Sequence, residues 1–225
     1  MLLLVILCAT YSVNIILGIS FVISISNHIY SFSGHCLLFS TGKYEDNGDF
    51  TPYWSSRFGC IFTILVAILS NAVASYELVN TSVMLYKGTR ETFVIIFKKS
   101  FWALTVSTFI LLSAIVISAG FAVWCRTVEE RFSKGCEAAA ASMIISNNTQ
   151  HISINGFFTD LETSQFSIWS SFVVWVLALT ISGRMLFVAH ELANIRISMA
   201  RERRRYNLPP DHANQPSNLP YRDIT

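Results

Sequence analysis

Charge is scarce in this chain. Asp, Glu, Lys and Arg supply 13% of its 225 residues, and hydrophobic residues supply 52%. A soluble globular domain carries ~25% charged residues, so the balance excludes that class and points to a membrane protein. The net charge is only +2, and the charges gather by region without forming a basic face interleaved with stacking aromatics, which excludes nucleic acid as a partner. Catalytic signatures are missing too. There is no HExxH, Gly-rich phosphate loop, nucleophile elbow or pair of catalytic carboxylates, and each is the minimal arrangement its chemistry needs. The histidines His28, His35, His151, His190 and His212 are scattered, so no metal and no cofactor is expected. His190-Glu191 reads as a solvated helix surface. The expectation is a protein that is not an enzyme.

What the chain does have is long apolar runs. Residues 2–25, 58–76, 101–122 and 166–187 are each long enough to cross a hydrocarbon core, which takes roughly 20 residues at 1.5 Å rise. The first lacks the basic leader of a signal peptide and exceeds the usual length of its apolar core, so it reads as an uncleaved span. The expected fold class is all-α membrane, a four-transmembrane-helix bundle over residues 1–205 with disulfide-tied lumenal loops. Residues 206–225 carry four prolines among Asn, Asp and Gln, a composition that cannot bury a core and predicts a disordered tail.

Basic residues set the orientation. Eleven of them, including Lys87, Lys98, Lys99 and Arg184, flank one side of the spans, and five lie on the other among eight acidic residues. The positive-inside rule then puts both termini in the cytosol. The fourteen-residue link 87–100 forces spans two and three into an antiparallel hairpin. The first lumenal loop, residues 26–57, contains the apolar run 36–39 and is expected to hold short strands. In the second, GCEAAAASMII (135–145) predicts a helical turn or two.

On this topology Cys36, Cys60, Cys125 and Cys136 all face an oxidising compartment, whereas Cys8 lies inside span one as a small buried hydrophobe. An even set of cysteines there reads as two disulfides rather than a metal site. Four cysteines allow three connectivities. The hairpin of spans two and three favours Cys60 with Cys125, leaving Cys36 with Cys136. Asn147-Asn148-Thr149 is a glycosylation acceptor at Asn147 in the second lumenal loop, while Asn80-Thr81-Ser82 falls on the cytosolic side and is expected to stay bare.

Polar groups inside the spans are few. Asn14 and Asn71 are mid-membrane amides that read as interhelical hydrogen-bonding residues. Glu77 and Arg184 lie near the cytosolic boundary and are candidates to pair, with Arg184 otherwise snorkelling. Small residues at helical spacing, Ala67-Asn71-Ser75, Ala114-Ser118-Ala122 and Ala178-Ser182, read as ridges holding the four helices of one monomer together in preference to a homo-oligomer interface. In the tail, Arg201, Arg203, Arg204 and Arg205 would attract anionic lipid and also fit an arginine-based retrieval signal. Tyr221 and Ile224 fit a tyrosine-based sorting signal.

The segments GHCLLF (34–39), SAGFAVWC (118–125), GCE (135–137) and FSIWSSFVVWV (166–176) together resemble the transmembrane protein 179 family of four-pass animal membrane proteins. The resemblance covers all four spans and both lumenal loops, and ends at the tail. Cys60 stands about one helical turn from the position the family pattern suggests. The resemblance implies a claudin-like or tetraspanin-like layout and supplies no catalytic residue. The functional expectation is an accessory or scaffold subunit that packs, in the lipid bilayer, against a larger and unidentified membrane protein partner and acts on its trafficking or gating. Two other readings are a pore-forming or transport subunit, which needs several polar residues on one axis, and a lipid-active enzyme, which needs ionisable groups converging at one depth.

Overall fold

A computed structural model of the chain describes residues 2–44, 50–88, 92–129, 136, 145–147, 150–152 and 157–206. Four helices dominate it: α1 (Leu2–Ser31), α2 (Phe58–Lys87), α3 (Phe93–Glu129) and α4 (Phe157–Tyr206). All four are long and apolar enough to cross a membrane, and each contains one of the expected spans. They also overrun it: thirty residues make about 45 Å of helix and fifty about 75 Å, against ~30 Å of hydrocarbon. Helices suit this environment because every backbone polar group is satisfied within the segment.

The bundle is cyclic. α1 packs against α2 and α4, and α3 packs against α2 and α4, with the α2–α3 interface the smallest of the four. The buried positions of α1 include Leu7, Tyr11, Asn14, Gly18, Phe21, Ile25 and His28. Those of α2 include Cys60, Thr63, Ala67, Ser70, Ala74, Glu77 and Thr81. Both sets alternate steps of three and four, the seam of a left-handed bundle whose helices cross at a shallow angle. Because the outward face is apolar for lipid, the seam is marked by small and polar residues rather than by hydrophobicity. The expected ridges coincide with it only in part: Ala67, Ala114, Ala178 and Ser182 are buried, but Ser75 and Ala122 are exposed. A seam of 3.5-residue period leaves a strict every-fourth-residue row after about two turns.

A cap closes one end of the bundle. It contains the antiparallel hairpin β1 (Thr41–Tyr44) with β2 (Phe50–Tyr53), paired Thr41 to Tyr53. A second hairpin joins β3 (Ile145–Asn147) to β4 (Gln150–Ile152). Short strands do form in the first loop, as expected, but they follow the apolar run 36–39, which itself turns, with Phe39 at φ 61°. The reason is burial: the turn drives both Leu37 and Leu38 into the core, whereas a strand would send them to opposite faces. The helical turns expected within 135–145 lie outside the described residues except at Cys136, which is helical, and Ile145, which opens β3. The expected tail, beyond Tyr206, lies outside them as well.

Candidate functional site

The cap is assembled from residues that the four helices deliver to one end. Leu38 occupies the space between the cap ends of α2 and α3. A Cβ on Gly120 would lie 2.9 Å from the Leu38 Cβ, and one on Gly59 would lie 3.9 Å from it. The Phe39 amide donates to the Gly120 carbonyl at 3.3 Å, fastening the turn to α3. Ser40, wholly buried, donates to the Cys36 carbonyl at 2.9 Å and accepts from the Ser55 amide at 3.0 Å, which closes the neck of the first hairpin. An aromatic cluster joins the turn to the helices. Phe32 meets His28 at 5.0 Å, Trp54 at 6.4 Å and Phe157 at 6.3 Å, and His35 stacks on Trp54 at 4.7 Å.

This geometry corrects the disulfide pairing. The bridges are Cys36–Cys60, with Cα atoms 6.2 Å apart, and Cys125–Cys136, at 5.3 Å. Cys60 does not meet Cys125, because the Leu37-Leu38 turn is wedged between the helices that carry them and seats Cys36 on α2. Cys125, beyond the wedge, bridges to the chain that follows α3, and the Cys136 amide donates to Glu129 Oε1 at 3.1 Å. Each bridge thus ties one loop to its own neighbouring helix. Cys8 is free and lies 3.8 Å from the Ser82 hydroxyl.

Below the cap a polar seam runs through the bundle. Asn14 accepts from the Ser171 hydroxyl at 2.8 Å, joining α1 to α4. Trp175 donates from its indole nitrogen to Ser70 at 3.0 Å, reaching across from α4 to α2, and its ring tilts against Tyr11 at 5.9 Å. Asn71 packs against Gly18, where a Cβ would collide with its side-chain amide; its Oδ1 accepts no hydrogen bond from the described residues. The cavity among Gly18, Ser70, Ile110 and Ser171 measures about 10 Å³, the lower limit for a single water.

At the end opposite the cap, Glu77 and Lys99 are each only 3% exposed. Glu77 and Thr81 are one turn apart on the seam of α2, and Lys99 of α3 donates to the Thr81 hydroxyl at 3.0 Å. Of the two readings of Arg184, pairing with Glu77 or snorkelling, its position fits the second: it sits exposed on α4, which is not a neighbour of α2 in the ring. Lys99 was legible only as one of the basic residues that set topology. The available signal was its place on the seam, three residues after the buried Ile96 and four before the buried Ala103.

The remaining candidates are dispersed. Asn147 ends β3, paired in register with Gln150, so the acceptor motif begins at a hairpin tip; Asn148 and Thr149 lie outside the described residues. Arg201, Arg203, Arg204 and Arg205 are exposed on the last turns of α4. Tyr221 and Ile224 lie outside the described residues. No group of three or more His, Cys, Asp or Glu able to hold a metal occurs among the described residues.

Comparison with known families finds a match to the model of the Transmembrane protein 179/179B Claudin domain over residues 3–207. No solved structure matches.

Proposed function

The chain belongs to the Transmembrane protein 179/179B Claudin domain family, and from that premise we propose that it is a non-enzymatic accessory or scaffold subunit acting on the trafficking or gating of a membrane partner. The observation that carries this reading is how the interior polar groups are used. Asn14, Ser70, Ser171, Trp175, Thr81 and Lys99 are engaged in bonds that hold one helix to another, and the cavity lined by Ser70 and Ser171 measures only about 10 Å³. The spans' outer faces, by contrast, offer large apolar side chains such as Phe101, Phe109, Phe166 and Trp169. A closed interior beneath a disulfide-fastened cap leaves the lateral helix faces and the cap as the working surfaces.

In this reading both termini are cytosolic, the cap is lumenal or extracellular, and Asn147 carries a glycan. The test is purification from native membranes in mild detergent, followed by mass spectrometry and reconstitution. The expected outcome is stoichiometric recovery of a larger channel or receptor, with no conductance from the purified chain alone. A selective current from the chain by itself in planar bilayers would replace this reading with the pore-forming one.

A further inference from the structure

Helix α4 does not stop where the bundle stops. Its buried positions end at Ile181 and Ser182, yet the helix continues to Tyr206, and every residue from 190 to 206 is exposed. Taking the span to end near Phe187, Ile195 and Met199 lie about 12 and 18 Å farther along the axis, past the ~5–8 Å headgroup layer.

This extension carries an apolar stripe that no other described residue covers. Val188, Leu192, Ile195 and Met199 are 52%, 47%, 52% and 48% exposed, and their steps of four, three and four confine them to one narrow face of the helix. Tyr206 falls on the same face two turns later. Arg196 and Arg203 flank the stripe, and Arg201, Arg204 and Arg205 surround its end, against only Glu191 and Glu202. Ile197, 58% exposed, stands alone on the opposite side, and a basic helix whose other large apolar residues share one stripe suits an acidic groove lined with adaptable apolar side chains.

We propose that residues 188–206 form a docking helix for an acidic protein with an apolar helix-binding groove, of the calcium-loaded EF-hand sensor type. Such sensors open a Met-rich groove when they bind calcium, and flexible methionines accommodate a stripe that mixes Val, Leu, Ile and Met. Charge complementarity selects this occupant over a second copy. Two of these helices in parallel would set Glu202 against Glu202 and bring both clusters of Arg203, Arg204 and Arg205 side by side, where like charges repel. A lipid surface is a poorer fit, because the extension runs on from the span and carries the stripe away from the bilayer.

The proposal requires the α4 end to be cytosolic in the cell, but its binding assay is independent of that topology and of the accessory-subunit reading. The full-length chain in zwitterionic nanodiscs is titrated with purified calmodulin, with calcium or with chelator. The expected result is saturable one-to-one binding in calcium only, at micromolar Kd or tighter. Leu192→Glu with Ile195→Glu should weaken it at least tenfold. Arg203→Ala with Arg204→Ala and Arg205→Ala should weaken it several-fold and flatten its salt dependence. Because these side chains are exposed, the variants should melt as the parent does, and Leu192→Ala with Ile195→Ala serves as a second pair that adds no charge. Four outcomes would each overturn the proposal: no saturation, binding that persists in chelator, binding indifferent to both apolar pairs, or efficient Met199→Cys cross-linking into a dimer of this chain.

Discussion

Gly120 and Gly59 face the same leucine from opposite helices, and the difference in spacing predicts unequal responses. A Cβ at 120 would stand 2.9 Å from the Leu38 Cβ and 3.2 Å from its Cα, which is backbone and cannot move aside; at 59 the nearest atoms are 3.8–3.9 Å away. Gly120→Val should therefore lift the turn off α3 and cost about 1–3 kcal/mol. Gly59→Ala should be close to neutral, since its Cβ would meet only ordinary van der Waals contact and Gly59 lies in the first turn of α2, where the helix-interior cost of glycine is not fully felt. Thermal unfolding in detergent micelles distinguishes them, and equal losses at both sites would remove Leu38 as the wedge. Lower in the bundle, Trp175→Phe keeps most of the ring but leaves the buried Ser70 hydroxyl without its donor. A hydrogen bond between membrane helices is worth about 0.6 to 1.7 kcal/mol, so a small, measurable loss is expected. An unchanged melting profile would mean that Ser70 finds another partner.

At the scale of elements, the two bridges act on separate loops. Cys36–Cys60 closes 24 residues and Cys125–Cys136 closes 11, and each should contribute about 2–4 kcal/mol by restricting the unfolded chain, the longer loop slightly more. Cys36→Ser and Cys60→Ser should thus be equally harmful, and their double variant no worse than either. A variant lacking both bridges should show nearly the sum of the two losses, as expected for independent sites. Non-reducing peptide mapping reads the connectivity directly: a peptide linking Cys60 to Cys125 would refute the wedged turn. That the four cysteines gather at one end was legible from the apolar runs alone. Their pairing was not, since it depends on two leucines turning inward together.

For the whole molecule, the distribution of basic residues predicts which side each end occupies. A tag placed after Thr225 should be reached by antibody only in permeabilised cells, and labelling of intact cells would invert the topology. Asn147→Gln should abolish a glycosidase-sensitive shift that Asn80→Gln leaves unchanged. Persistence of the shift without Asn147 would place the sugar elsewhere. Both outcomes bear on the proposed role, which requires the cap to face a partner's ectodomain and the α4 extension to face the cytosol.

The sequence by itself determined the class, the number of spans and the antiparallel hairpin of α2 with α3, because lipid solvation imposes length and apolarity on each helix separately, residue by residue. It could not determine which face of each helix turns inward. In lipid both faces are apolar, and the inner one is distinguished only by small and polar residues such as Gly18, Ser70 and Ser171, whose role emerges when a neighbouring helix supplies Asn71, Trp175 or Asn14. The same holds for Glu77, Thr81 and Lys99, and for the disulfides. Their geometry was decided by where Leu38 found room between α2 and α3, a packing choice that no single segment contains.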